Sequence, residues 1–171
     1  MKQKLVCLAL VVLCACKEEI ATLPEPVSMT EDAIAHYCMM NIAEHPGPKA
    51  QIFLDGFPDP IFFAQVRDAF TYLASAEQDG YIAAVYVSNM ADVPWSTPGA
   101  DNWMLSGGAW YVVGSERMGG MGVPEIVPFA SQSAAQSFAE SFGGEIYQKT
   151  DVPSDAYLAP VEYVLEEEQG S

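Results

Sequence analysis

An internal repeat constrains the fold of this chain more than any other feature of its sequence. One constant shift along the chain aligns Pro58 with Pro124 and Phe63-Ala64 with Phe129-Ala130. Both copies have the same order of hydrophobic patterns: two short β-prone stretches, a stretch with apolar residues at helical spacing, and a closing β-prone stretch. The sequence therefore predicts an α+β fold in which two similar ββαβ units pack together.

The repeat also sets the expected boundaries of the units. We place the first unit at residues 36–90, a linker at 91–108 and the second unit at 109–160. The predicted elements of the first unit are strands at 50–54 and 59–63, a helix at 64–74 and a strand at 81–87. Those of the second unit are a strand at 110–113 that turns at Gly114-Ser115, a strand at 125–129, a helix from Ser131 to Phe142 and a strand at 145–148. The linker tryptophans, Trp95 and Trp103, are expected to fill the seam between the units.

The beginning of the chain has the pattern of a bacterial export signal. Two lysines precede an apolar run over residues 5–15, which is too short to span a bilayer as a mature helix. The run ends in Leu13-Cys14-Ala15-Cys16, which is typical of a lipobox, where the last cysteine is lipidated and becomes the new N-terminus. We therefore expect residues 1–15 to be removed and Cys16 to carry a membrane anchor. Lys17 at the next position favours the outer membrane, facing the periplasm.

The two ends of the mature chain are expected to lie outside the folded units. Residues 16–35 and 161–171 are acidic and show no sustained hydrophobic period, so they predict a flexible lipidated tether and a solvated tail. The whole chain has 23 acidic and 7 basic residues, with a formal charge of −16. A surface of this charge repels nucleic acid and anionic lipid head groups, and it attracts cations or a basic partner. A nucleic-acid partner is therefore not expected.

Cys38 is the cysteine that most constrains the function. The sequence has four cysteines; Cys7 and Cys14 belong to the signal, and Cys16 is assigned to the lipid. Cys38 is thus left without an intramolecular disulfide partner in an oxidising compartment. Such a thiol has to be buried, paired with another molecule, reactive or covered by a metal ion.

The residues around this cysteine favour a metal ion with soft ligands. Cys38 and Met40 lie two positions apart, and in an extended segment both sulfur atoms would lie on one face. Thiolate and thioether sulfur select cuprous ion over zinc, magnesium or calcium. Met121, in the glycine-rich segment Met118–Gly122, and His45, in the loop that follows Cys38, are the candidates to complete the site.

Two alternatives remain open at this level. Cys38 could be the nucleophile of a thiol enzyme with His45 as its base, although no third residue is evident that would orient the histidine. The chain could also be a structural lipoprotein without a metal. Motifs of the Cys-x-x-Cys, His-Glu-x-x-His, P-loop and Gly-x-Gly-x-x-Gly types do not occur in the sequence.

Longer motifs in the chain resemble those of the NosL family, lipoproteins that accompany nitrous oxide reductase in denitrifying bacteria. The segments that carry the resemblance are Tyr37–Met40, His45–Ile52, Arg67–Ala69, Ala84–Ser88, Tyr111–Ser115, Met118–Gly122 and Pro124–Phe129. The resemblance implies a Cu(I) chaperone in which Cys38 and Met40 match the family pattern Cys-Gly-Met, with Met39 where glycine is usual. It also implies two ββαβ units, delivery of copper to nitrous oxide reductase, and work beside an inner-membrane ABC-type assembly complex.

Overall fold

The computed structural model describes residues 22–161 of the chain. The predicted signal over residues 1–15, the lipidation site Cys16 and the acidic tail beyond Val161 lie outside the described residues. Between residues 22 and 161, no helix is both long and apolar enough to cross a membrane.

The first unit forms an antiparallel sheet in the order β2-β1-β3-β4. Its strands are β1 (Ala50–Leu54), β2 (Ile61–Phe63), β3 (Ile82–Ser88) and β4 (Trp103–Leu105), and its helix is α1 (Val66–Ala74). Every residue of β1 is buried, because α1 covers one face of the sheet and the N-terminal segment covers the other. The strand β4 lies inside the predicted linker, so that linker is in part the edge of the first sheet.

The second unit forms an antiparallel sheet in the order β6-β5-β7. Its elements are β5 (Trp110–Met118), β6 (Pro124–Phe129), α2 (Gln132–Phe142) and β7 (Glu145–Gln148), followed by the short helix α3 (Asp155–Leu158). The Ser131 side chain caps α2 by accepting a hydrogen bond from the Ala134 N–H at 3.2 Å. Gly143 ends the helix with a φ of +73°. The predicted ββαβ order is therefore confirmed in both units.

One predicted turn in the second unit is wrong. The strand β5 continues through Gly114-Ser115 to Met118, and its register against β6 shifts between Val113 and Met118. Gly114 has a φ of +76°, so it absorbs an irregularity within the strand instead of ending it. This extension carries the β5–β6 connection beyond its own sheet.

The main core lies where α1 packs between the two sheets. Phe70 of α1 meets Tyr111 of β5 edge to face, with 5.2 Å between the ring centroids. Trp95 stacks on Phe138 of α2, and its carbonyl oxygen accepts a hydrogen bond from the Gly47 N–H at 2.7 Å. Trp95 therefore fills the seam between the units, as the sequence predicts. The same prediction is wrong for Trp103, which lies in β4 and packs against Phe53, Ala84 and Tyr86 of the first sheet.

The tether prediction is wrong for the part of it that the structure describes, because residues 24–35 pack against the first unit. The Val27 N–H donates to Gln51 Oε1, and Gln51 Nε2 donates to the Val27 carbonyl oxygen, both at 3.0 Å. The Tyr86 hydroxyl donates to the Pro24 carbonyl oxygen at 2.7 Å. The segment shows no hydrophobic period because an extended chain held by a few side chains does not need one.

Candidate metal centre

Cys38 lies in a tight turn that the N-terminal segment holds in place. The Ala35 N–H donates to the Met40 carbonyl oxygen and the Met39 N–H to the Ala35 carbonyl oxygen, both at 2.9 Å. Cys38 itself is half-buried. It packs against a small apolar cluster, the thiol-side cluster, which consists of Ala33, Ala35, Ile42 and Ala64. Cys38 is thus packed against this cluster and remains partly exposed to solvent.

The extended arrangement predicted for Cys38 and Met40 is wrong, because the backbone turns between them. Met39 has a φ of +57°, in the left-handed region that glycine adopts without strain. This conformation explains why a Cys-Gly-Met pattern suits the position. Met39 is 72% exposed and Met40 is 41% exposed, so both thioethers are open to solvent.

The β5–β6 turn of the second unit fixes the orientation of the His45 ring. Its Nδ1 lies 3.1 Å from the Gly120 carbonyl oxygen, which can only accept, so this nitrogen carries the proton. In the neutral ring Nε2 then holds a lone pair, and it is buried without a hydrogen-bond partner among residues 22–161. A metal-binding histidine has the same arrangement, with one ring nitrogen on a carbonyl and the other free to coordinate. The other histidine, His36, instead packs edge-on against Tyr72.

Met121 lies in the β5–β6 turn, which reaches across to the first unit. The Met121 N–H donates to Gln65 Oε1 at 3.1 Å, and the Gly122 N–H closes the turn on the Gly119 carbonyl oxygen at 2.9 Å. A Cβ on Gly119 would meet Gln65 Oε1 at 2.5 Å. The Met121 side chain is half-buried, and Met118, at the start of the turn, is 51% exposed.

Ala64 and Gln65 of the first unit link the thiol-side cluster to the Met121 turn. Ala64 belongs to the thiol-side cluster, and Gln65 binds the backbone of Met121. On the other side of the cluster, the His45 N–H donates to the carbonyl oxygen of Ile42. His45 and the Met121 turn therefore contact each other where the two units meet, and both bind residues that belong to the thiol-side cluster or adjoin it.

Met29 is a sulfur residue near this region that sequence reasoning assigned to the tether. Its side chain is half-buried and packs against the thiol-side cluster, as Cys38 does. Met29 and His45 also line a common cavity of about 200 Å³. No local pattern marks Met29, because its position depends on the Met29 N–H donating to the Ala100 carbonyl oxygen at 2.9 Å.

Two buried ionisable residues pack against the segments that carry His45 and Met121. Neither of them was singled out from the sequence. Lys49 is 1% exposed; its Nζ donates to the carbonyl oxygens of Pro46 and Gly47, which fixes the backbone after His45. Burial lowers the pKa of Lys49 to about 8. Glu125 is 2% exposed, and burial raises its pKa to about 8. The only sequence signal was a carboxylate inside the apolar strand Pro124–Phe129.

Glu125 joins the two units through one of its two carboxyl oxygens, Oε1. Oε1 accepts from the N–H groups of Arg67, at the start of α1, and of Ile126. Oε2 is buried without a hydrogen-bond partner in the part of the chain that the structure describes, and a Cβ on Gly119 would lie 2.7 Å from it. The carboxyl group therefore links β6 to the start of α1, and the backbone of Gly119 packs closely against its second oxygen.

The donors available in this region are few and soft. Across residues 22–161, no three side chains of the His, Cys, Asp or Glu types come together as a metal cluster. What the region offers is one thiol, several thioethers and one imidazole, a set that suits a monovalent soft cation.

Fold and site together define a class of protein: two ββαβ units that bring a cysteine turn and a methionine turn together at their junction. The model of the family described as NosL matches residues 26–157, and the chain belongs to this family. It is 49% identical over 160 residues to a protein of Achromobacter cycloclastes named copper-binding lipoprotein NosL, covering 92% of this chain and 83% of that one.

Two solved structures are similar to this fold. The crystal structure of the copper chaperone NosL from Shewanella denitrificans matches with a TM-score of 0.71 and 30% identity, over 76% of this chain and 96% of that one. The solution structure of the apo-NosL protein from Achromobacter cycloclastes matches with a TM-score of 0.50 and 44% identity, over 71% of this chain and 94% of that one.

Proposed function

We propose that this protein is a periplasmic lipoprotein that binds one cuprous ion at the junction of its two units and delivers it to another protein. Cys38 supplies the anionic thiolate and Met40 a thioether, and Met121 or His45 completes the ligand set. The observation that carries this proposal is the placement of His45 and the Met121 turn around the cluster that supports Cys38.

The exposure of the donors suits a carrier. Cuprous ion accepts two or three soft ligands, so Cys38 and Met40 need only one further donor. Because Met40 is 41% exposed, a receiving protein could bring its own ligand to the ion before the carrier releases it. A storage or structural site would instead enclose the metal.

The proposed destination is nitrous oxide reductase, reached with the inner-membrane ABC-type assembly complex. Membership of the NosL family and the names of the relatives support copper as the cargo. The formal charge of −16 supports docking to partners with basic surfaces. We propose that lipid on Cys16 holds the protein at the periplasmic face of the outer membrane.

The decisive experiment is a Cu(I) competition titration against a chromophoric chelator under anaerobic conditions. We expect Cys38→Ser to lower the affinity at least about 100-fold, which corresponds to about 2.8 kcal/mol. Met40→Leu should lower it less, by about tenfold. Met104→Leu is the matched control, because Met104 is a half-buried thioether of β4 that packs on the main core. Unchanged affinity in Cys38→Ser would contradict the assignment.

We place the protein among binding proteins and not among thiol enzymes. A catalytic histidine paired with Cys38 would be oriented by a carboxylate or amide side chain, whereas His45 Nδ1 faces the Gly120 carbonyl oxygen. Turnover of an activated thiol-reactive substrate that is lost in His45→Ala would favour the enzyme instead.

A further inference from the structure

An exposed apolar patch lies apart from the candidate metal centre. Leu23, Phe57 and Tyr81 are 54%, 56% and 86% exposed. They line one groove of about 640 Å³. Phe57 packs over Gly80, where a Cβ would lie 3.7 Å from its ring. We call these three residues the apolar patch.

The apolar patch and the Cys38 turn lie at opposite ends of the first sheet. Leu54 pairs with Ile82 at the end that carries the patch. Ala50 pairs with Phe63 at the other end, and Ala35 runs parallel to β2 towards that end before the Cys38 turn begins. The length of β1 separates the two features by about 13 Å or more.

The chain links the patch closely to the proposed lipid anchor. Thr22 and Leu23 line the groove, and the hydrogen bond from Tyr86 fixes Pro24 on the sheet. Cys16 precedes Thr22 by six residues, which span at most about 20 Å when fully extended. A lipid on Cys16 would therefore keep the patch within about 20 Å of the membrane surface, with the Cys38 turn farther along the sheet.

We infer that the apolar patch docks on a zwitterionic phospholipid surface and orients the lipidated protein with its metal centre away from the membrane; this inference rests on the proposed anchoring at Cys16. Phenylalanine and tyrosine suit the boundary between head groups and acyl chains, where an apolar ring is buried and a hydroxyl stays hydrated. Glu25 and Asp55 line the groove beside the patch. Their charges disfavour anionic lipid and select a zwitterionic surface.

The test is hydrogen exchange of the full lipidated mature chain on phosphatidylcholine vesicles. As the reference we use the same chain with Cys16→Ser in solution. We expect backbone exchange in residues 55–59 and 79–81 to be at least about threefold slower on vesicles. The slowing should disappear in the double variant Phe57→Asp and Tyr81→Asp, and it should weaken when phosphatidylglycerol replaces half of the lipid at low salt.

Leu158→Asp is the matched control, because Leu158 is 55% exposed and lies outside the groove; it should leave the slowing unchanged. Protein that floats with vesicles but shows no slowing would overturn the docking. Failure to float would remove the anchor and the docking with it, whereas the copper titration of Cys38 would still test the proposed function.

Discussion

The β-hairpin connections of the two units occupy equivalent places in the repeat but have become different surfaces. In the first unit the connection, residues 55–60, stays on its own unit, where it presents Phe57. In the second unit β5 continues past the irregularity at Gly114, and its connection reaches His45 and Gln65 of the first unit. The extension of β5 thus makes the second hairpin connection part of the candidate metal centre.

The second half of the centre has no counterpart in the repeat. The Cys38 turn precedes β1, and it is held by the bridge between Ile34 and Asn41 and by the burial of Ala33 and Ala35. The centre therefore combines one turn that depends on close backbone packing of glycines with one turn that depends on the N-terminal segment. The variants below test these two dependences separately.

Removal of the N-terminal segment should have the largest effect. A protein that begins at His36 loses the two hydrogen bonds to Gln51 and leaves that buried amide unsatisfied. It also uncovers the thiol-side cluster. We expect it to lose about 4 kcal/mol or more of unfolding free energy. Chemical denaturation beside a protein that begins at Thr22 measures the difference, and equal stability would show that the segment is a tether after all.

Glu125→Gln should change the pH dependence of stability. Burial raises the pKa of Glu125 from its ordinary value of 4.5 to about 8, so the folded protein binds more protons than the unfolded chain between these values. Its contribution to stability is complete below pH 4.5 and is lost as the pH rises through about 8. We expect a loss of about 3 kcal/mol in the wild type, which the variant should not show.

The other buried ionisable residue, Lys49, affects stability in a different pH range. Burial lowers its pKa from 10.5 to about 8, so its contribution to stability is complete above pH 10.5 and is lost as the pH falls through about 8. The two residues therefore act in different windows. Denaturation between pH 5 and 8 in wild type and Glu125→Gln separates them, and an unchanged slope in the variant would show that another group titrates.

Alanine at one glycine of each hairpin connection distinguishes the two equivalent turns. A Cβ at Gly120 would lie 2.5 Å from the His45 Cβ and 3.1 Å from the Pro46 carbonyl oxygen. Gly120→Ala should therefore cost about 2 kcal/mol and lower Cu(I) affinity about tenfold. Gly56 has a φ of +80° and open space around it, so Gly56→Ala should cost about 1 kcal/mol without changing copper affinity. Similar affinity in both variants would mean that the β5–β6 turn does not position ligands.

Met39→Gly should have the smallest effect. It removes the left-handed strain of a side chain at φ +57°, although glycine also makes the unfolded chain more flexible. We expect a net gain of about 0.5–1 kcal/mol. Because Met39 is 72% exposed, Cu(I) affinity should stay within about threefold. A larger loss would identify the Met39 thioether as a ligand.

The sequence by itself determined the repeated scaffold. Alternating and helical patterns of apolar residues record which face of each element is buried, so Ala50–Leu54 and Glu145–Gln148 were predicted with their observed bounds. Ser131 and Gly143 marked the ends of α2 because capping is a local requirement of the backbone. The motifs around Cys38 and Met118–Gly122 likewise indicate the family, because each is a continuous stretch of the sequence.

Only the tertiary structure decided how the centre is assembled. The positions of Met29, Lys49 and Glu125 depend on partners far along the chain, such as the Arg67 N–H that donates to Glu125. Local patterns carry no record of such partners, because a buried polar residue is stabilised by whichever group the fold brings to it. The same reason explains Pro24–Ala35, which lacks a hydrophobic period yet packs on the first unit because Gln51 and Tyr86 supply its hydrogen bonds.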